Sequence, residues 1–151
     1  MQISEIITAD NIRCNVQASS KKGALEELAK LLAGTESSLN YTEIFDCFNS
    51  RERLGSTGLG NGIAIPHGRL KHIDAPMAAF IRLEKPVDFD AVDQKPVDLL
   101  FGLLVPEDST DEHLQILSSL ATMFSDQTLV AKLRRGYSPK KLFETLTGQP
   151  A

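Results

Sequence analysis

The run "VDLLFGLLV", residues 97–105, constrains this chain more than any other stretch. Apart from Asp98 and Gly102, every position is branched aliphatic or aromatic, so an extended segment here is apolar on both faces. Such a strand must be covered on both sides, as a central strand between two helical layers is. Two shorter runs, "MAAFIRL" (77–83) and "GIAI" (62–65), read as its neighbours in a sheet. Between them "EKPVDFDAVDQKPVD" carries two prolines and alternating acids, and reads as an exposed connection with a short strand or turn.

The helices needed as cover carry their own punctuation. "SSKKGALEELAKLLAG" starts with serine, ends before Gly34, and places Leu25, Leu28, Ala29 and Leu32 on one face. After the polar link "TESSLN", "NYTEIFDCFNSRERLG" opens with Asn40 three residues before Glu43, a capping-box variant, and turns Ile44, Phe45 and Phe48 inward. Beyond Pro106, Ser109 and Glu112 form a full capping box before a stripe of Leu114, Leu117, Leu120, Ala121 and Phe124. "SDQTLVAKLRRG" closes at Gly136, and "SPKKLFETLTG" has a serine cap, Pro139 at its first position and Gly148 past its end. The order predicts one α/β domain, a sheet with helices on both faces.

Length and charge narrow the function classes. At 151 residues the chain fits one domain with a real core. The net charge of -4 is mild, which suggests neither a nucleic-acid stripe nor a patch for anionic membrane. "MQISEIITADNIRC" turns polar too soon for a signal peptide or a span, so a cytoplasmic protein with no membrane insertion is expected. Cys14 and Cys47 lack metal-type spacing and read as buried reduced thiols.

One segment stands out chemically: "GSTGLGNGIAIPHGR", residues 55–69. Proline fixes its own φ and extends the residue before it. Ile65-Pro66 is therefore expected to end the strand and project His67 from its terminus, with Gly68 letting the chain turn away. Gly58, Gly60 and Gly62, with Gly55, Ser56 and Thr57, would form a loop whose N–H and hydroxyl groups cradle an anion. "GLGNG" is neither a dinucleotide fingerprint nor a P-loop. A neutral imidazole can shuttle protons, bind metal or attack phosphorus. As a nucleophile it needs one ring nitrogen held on a fixed acceptor, and its phosphorylated form wants donors and cations nearby. His113, in the first turn of a helix, and Arg51 and Arg53, just before the glycine loop, are candidates for that help. Leu54, Leu59 and Ile63 would give a dry contact patch. Each has a plainer reading: the glycine loop as a flexible turn, His113 as an ordinary first-turn residue, the arginines as helix-end cations. His72 reads as a surface residue.

Taken together, "STGLGNGIAIPHGR" and "PVDLLFGLLVPEDSTDEHLQILSSLA" resemble the type-2 enzyme IIA domain of the bacterial phosphoenolpyruvate-dependent phosphotransferase system, the mannitol–fructose–nitrogen group, over residues 4–148. The likeness is strongest to the stand-alone nitrogen-regulatory type, since no transporter or IIB segment follows. The resemblance implies a mixed sheet sandwiched by helices and no metal or organic cofactor. It implies that His67 takes a phosphoryl group as a tele-phosphohistidine from a histidine phosphocarrier protein, that His113 stabilises that group, and that Arg51 lies close. Pro66 and Gly68 belong to the matching motif, and Arg53 stands where related sequences often carry lysine. The implied partners are regulated targets such as potassium-transport or sensor proteins, or, for a sugar-type member, a separate IIB domain. Two other classes remain open on the residues alone. One is a module binding a phosphorylated metabolite; the other is a metal-dependent hydrolase using His67, His72 and Asp74.

Overall fold

A computed structural model describes residues 2–36 and 38–151. Met1, and Ser37 of the polar link, lie outside the described residues. Six strands form one mixed sheet: β1 (Ile12–Val16), β2 (Gly58–Gly60), β3 (Ile63–Ala64), β4 (His67–Leu70), β5 (Met77–Val87) and β6 (Val97–Pro106). The order is β1-β5-β6-β3-β2, and β4 also pairs with β6. Strand β6 runs antiparallel to β5 on one edge and parallel to β3 and then β4 on the other. The two-faced apolar run is thus the centre of the sheet.

Alternation along β6 sorts its side chains between two cores. Leu99, Phe101, Leu103 and Val105 face α3 (Thr110–Phe124), α4 (Gln127–Arg135) and α5 (Pro139–Thr147). Leu100 and Leu104 face α1 (Lys21–Ala33) and α2 (Tyr41–Arg53). Gly102 completes that second row. A Cβ there would sit 3.2 Å from Leu28 and 3.3 Å from Phe48, so the missing side chain lets α1 and α2 approach the strand.

The helix boundaries follow the caps. Ser20, Asn40 and Ser138 each accept a backbone N–H of the first turn. Gly148 takes the left-handed conformation, φ 71°, that ends α5. Three expectations need correction. Ser109 occupies the N-cap position of α3, but its side chain makes no capping bond. The buried face of α3 is His113, Ile116, Leu120 and Phe124, while Leu114 is 61% exposed and Ala121 is exposed too. The stripe as read was shifted because two overlapping rows of apolar residues share the helix, and the sheet selects one. The segment 84–98, read as an exposed connection, is not simply so: β5 runs on into it as far as Val87, and Val87, Phe89 and Ala91 alternate into the core.

The strands at the edges were largely unread. Strand β1 is parallel to β5, and Cys14 on it is half-buried rather than buried, as is Cys47 on α2. The strand carrying "GIAI" ends before Ile65-Pro66 as expected, β3 stopping at Ala64; the chain then re-enters beside β6 as β4, with His67 opposite Leu103. Among the described residues no helix is long and apolar enough to cross a membrane.

Candidate functional site

His67 stands beyond the end of β3, as expected, but the chain does not turn away at Gly68: His67 is the first residue of β4. The break at Pro66 puts the Ile65 carbonyl two residues back and within reach of the ring: Nδ1 lies 2.8 Å from it. That bond requires the proton on Nδ1, so Nε2 carries the lone pair. Nε2 accepts a hydrogen bond from Arg51 Nε at 3.2 Å.

Arg51 reaches the ring because α2 packs directly on β4. A Cβ at Gly68 would collide with Cys47 Sγ, so glycine is demanded by the helix–strand approach and not by a turn. Cys47 Sγ donates to the Arg69 carbonyl at 3.2 Å, and burial pushes its thiol up to about 11. The thiol is therefore a packing group with little thiolate character at neutral pH.

His113 arrives from the other layer. Helix α3 starts directly beyond the end of β6, so its first turn stands over the strand pair β4–β6. The two imidazole centroids are 5.3 Å apart, edge to face. Arg69 Nε donates to His113 Nδ1 at 3.5 Å. This assigns the His113 proton to Nε2, which is buried and has no partner among the described residues. Arg69 was missed in the sequence. The signal was present, since residues 67 and 69 share a face of any strand, but 67–70 had not been read as one.

Both rings are held neutral. His67 is lowered from its ordinary value by burial, then by the Arg51 guanidinium, against the raising effects of its bonded Ile65 carbonyl and of the Glu52 carboxylate. His113 is lowered by burial and by His67, Arg69 and Arg51 around it. The rings open on a cleft of roughly 850 Å³ between α2 and β4, which His72 also lines. Arg53 is exposed and does not line it.

The glycine segment is not an anion cradle, because its donors are spent inside the protein. Ser56 Oγ donates to the Phe89 carbonyl at 2.7 Å and accepts the Gly58 N–H at 3.0 Å. The Thr57 N–H and hydroxyl both bond the Glu52 carboxylate. Asn61 N–H bonds Asp93 Oδ2 at 3.0 Å. A Cβ at Gly58 would meet Ala91, and one at Gly62 would meet Arg134 and Asp98, so these glycines serve packing; Gly60, φ 99°, supplies the left-handed turn into β3. Of the expected apolar patch, Leu54 (84% exposed) and Leu59 face solvent, whereas Ile63 is core. His67, His72 and Asp74 do not converge: among the described residues no group of three His, Cys, Asp or Glu is placed to hold a metal.

The arrangement is a neutral imidazole with a fixed lone pair, a guanidinium at that lone pair, and an orphaned N–H on a second ring. Such a set can take an electrophilic, negatively charged group. The chain matches known proteins along nearly its whole length. The family model described as "Phosphoenolpyruvate-dependent sugar phosphotransferase system, EIIA 2" matches residues 5–148. A nitrogen regulatory protein of Klebsiella oxytoca is 43% identical over 148 residues, 97% of this chain and 91% of that protein. A fructose-specific EIIA component of Haloferax volcanii is 34% identical, covering 95% of this chain and 94% of its own. The crystal structure of the nitrogen regulatory protein IIA-Ntr from Neisseria meningitidis superposes with a TM-score of 0.90 at 46% identity, over 96% of this chain and 99% of that one.

Proposed function

Because the chain belongs to the type-2 EIIA family of the phosphoenolpyruvate-dependent sugar phosphotransferase system, we propose that His67 Nε2 is its phosphoryl acceptor. The observation that carries this is the Nδ1–Ile65 carbonyl bond of 2.8 Å, which aims the opposite lone pair at the cleft. The donor is a phosphohistidine on a small histidine phosphocarrier protein. As the new N–P bond forms at Nε2, the donor's N–P bond breaks, and the donor ring, protonated on its other nitrogen, leaves as neutral imidazole. His67 keeps its Nδ1 proton on Ile65 and its ring takes over the positive charge the donor ring loses, so no proton changes hands. Arg51 Nε shifts from the lone pair to a phosphoryl oxygen, and His113 Nε2–H finds in another oxygen the acceptor it lacks. Catalysis of this kind is positioning and charge stabilisation.

The role that follows is regulatory, in line with the nitrogen regulatory relatives. Phosphorylation adds a phosphoryl group of about two negative charges to the His67 ring, at a surface where Leu54 and Leu114 stand exposed. Targets that dock there, potassium-transport or sensor proteins among them, then read the phosphorylation state. The fructose-specific relative supports a second outlet, onward transfer to a separate IIB domain. Incubation with a radiolabelled phosphocarrier tests the acceptor: the wild type takes acid-labile label and His67→Ala takes none. Label persisting at another residue overturns the assignment, and a chase with isolated IIB domains separates the two outlets.

A further inference from the structure

The carboxylate of Glu52 is the most buried charge near the cleft, its side chain 3% exposed, and it touches neither imidazole. It gathers three segments of the chain. Lys21, the first residue of α1, places its ammonium 3.0 Å from Oε1 and 4.8 Å above the Phe89 ring. Thr57, entering β2, gives Oε1 its N–H at 3.1 Å and Oε2 its hydroxyl. Glu52 itself sits in the last turn of α2, beside Arg51.

The bonds to Thr57 close a loop around residues 53–56. Within it, Leu54 N–H reaches the Arg51 carbonyl and Gly55 N–H the Glu52 carbonyl, both at 3.1 Å. Gly55 has φ 151°, a conformation open to glycine, and its carbonyl accepts Arg51 Nη1 at 2.8 Å. The guanidinium is thus aimed by two acceptors, His67 Nε2 and the Gly55 oxygen. The second is a backbone atom whose place depends on the closed loop.

We propose that Glu52 is a positioning residue for phosphoryl transfer: through Thr57 it fixes the Gly55 carbonyl that holds Arg51 against His67 Nε2. This rests on the reading of His67 as acceptor. It explains why a buried carboxylate is paired with a lysine one helix away while the neighbouring Arg51 makes no ion pair among the described residues. Were Glu52 to turn to Arg51, the guanidinium would be neutralised and drawn from the cleft. Lys21 and Thr57 hold it away.

A double-mutant cycle tests this. Glu52→Gln is expected to slow transfer from the phosphocarrier about tenfold in the Arg51 protein, and to add nothing in an Arg51→Ala background. Thr57→Val, which keeps the shape and removes the hydroxyl, is expected to show a smaller loss with the same background dependence, and serves if Glu52→Gln does not fold. Equal slowing in both backgrounds, or none in either, overturns the proposal. Nitrogen-15 NMR of the unphosphorylated protein reads the same point without any transfer. The Arg51 Nε–H signal of the bond to His67 should weaken in Glu52→Gln; its persistence unchanged also overturns the proposal. If wild type takes no label at His67, the acceptor reading fails while the NMR result still judges the positioning.

Discussion

Two arginines at opposite ends of the β3–β4 edge show what decides whether a cation is available to a ligand. At the start of β6, Arg134 is paired with a carboxylate. Its Nε and Nη2 bond both oxygens of Asp98, at 2.9–3.2 Å, and Nη2 also bonds the Asn61 carbonyl. That guanidinium pins the β2–β3 turn, and Asp98 balances its charge. Toward the other end, Arg51 has a backbone carbonyl and a neutral imidazole as its acceptors, and the nearest buried carboxylate is committed to Lys21 and Thr57. Among the described residues it makes no ion pair, and the cleft beside it is open. Both ends hold an arginine over a glycine-rich crossing. The counter-ion makes one structural and its absence suits the other to an anion.

The strongest way to break the comparison is to remove both guanidinium groups in turn. Arg51→Ala should slow phosphorylation of His67 about 100-fold, the scale of losing a donor aimed at developing charge, measured by rapid-quench labelling. A loss within about twofold would mean that Arg51 is no better placed than Arg134.

Acid provides a finer test. The folded His67 ring is lowered below its ordinary 6.5 by burial and by Arg51, and only the neutral ring is nucleophilic. Transfer should therefore be flat at neutral pH and decline only as pH falls below 6.5, through the lowered value. In Arg51→Ala the midpoint should move upward, whereas in Arg134→Ala it should stay. The same ring links pH to stability. Below 6.5 and above its folded value the unfolded chain binds more protons, so stability falls as pH falls across that window. A titration followed by histidine carbon-13 shifts gives the midpoints; no movement in Arg51→Ala would remove that guanidinium from the ring's field.

Arg134→Ala should have the smallest effect. The labelling rate should be unchanged, and the fold should lose about 1 kcal/mol for a partly exposed bidentate pair. For a chain of this size that is about 2–4 °C in thermal midpoint. A slowed transfer with the midpoint unchanged would reverse the roles of the two ends.

Much of the frame was legible. Ser20, Asn40 and Ser138 marked helix starts because a cap is a bond made within three residues. The run 97–105 announced a covered strand because its own two faces are apolar. His67 stood out through Pro66, whose effect on the backbone is equally local. The glycine segment misled for a related reason. Permissive backbone can approach a ligand or another part of the protein, and the side chains of Ala91 and Arg134, distant in sequence, settled it.

Alone, then, the sequence determined where helices start and stop, which strand is central and which histidine is set apart, since each depends on neighbours along the chain. The fold decided the rest. It placed β1 and β4 by parallel pairing, chose His113, Ile116 and Leu120 over Leu114 as the inner face of α3, brought Arg69 to His113, and turned Glu52 toward Lys21. These choices depend on which distant groups share a packed interior, and only closure of the sheet between its two helical layers selects among them.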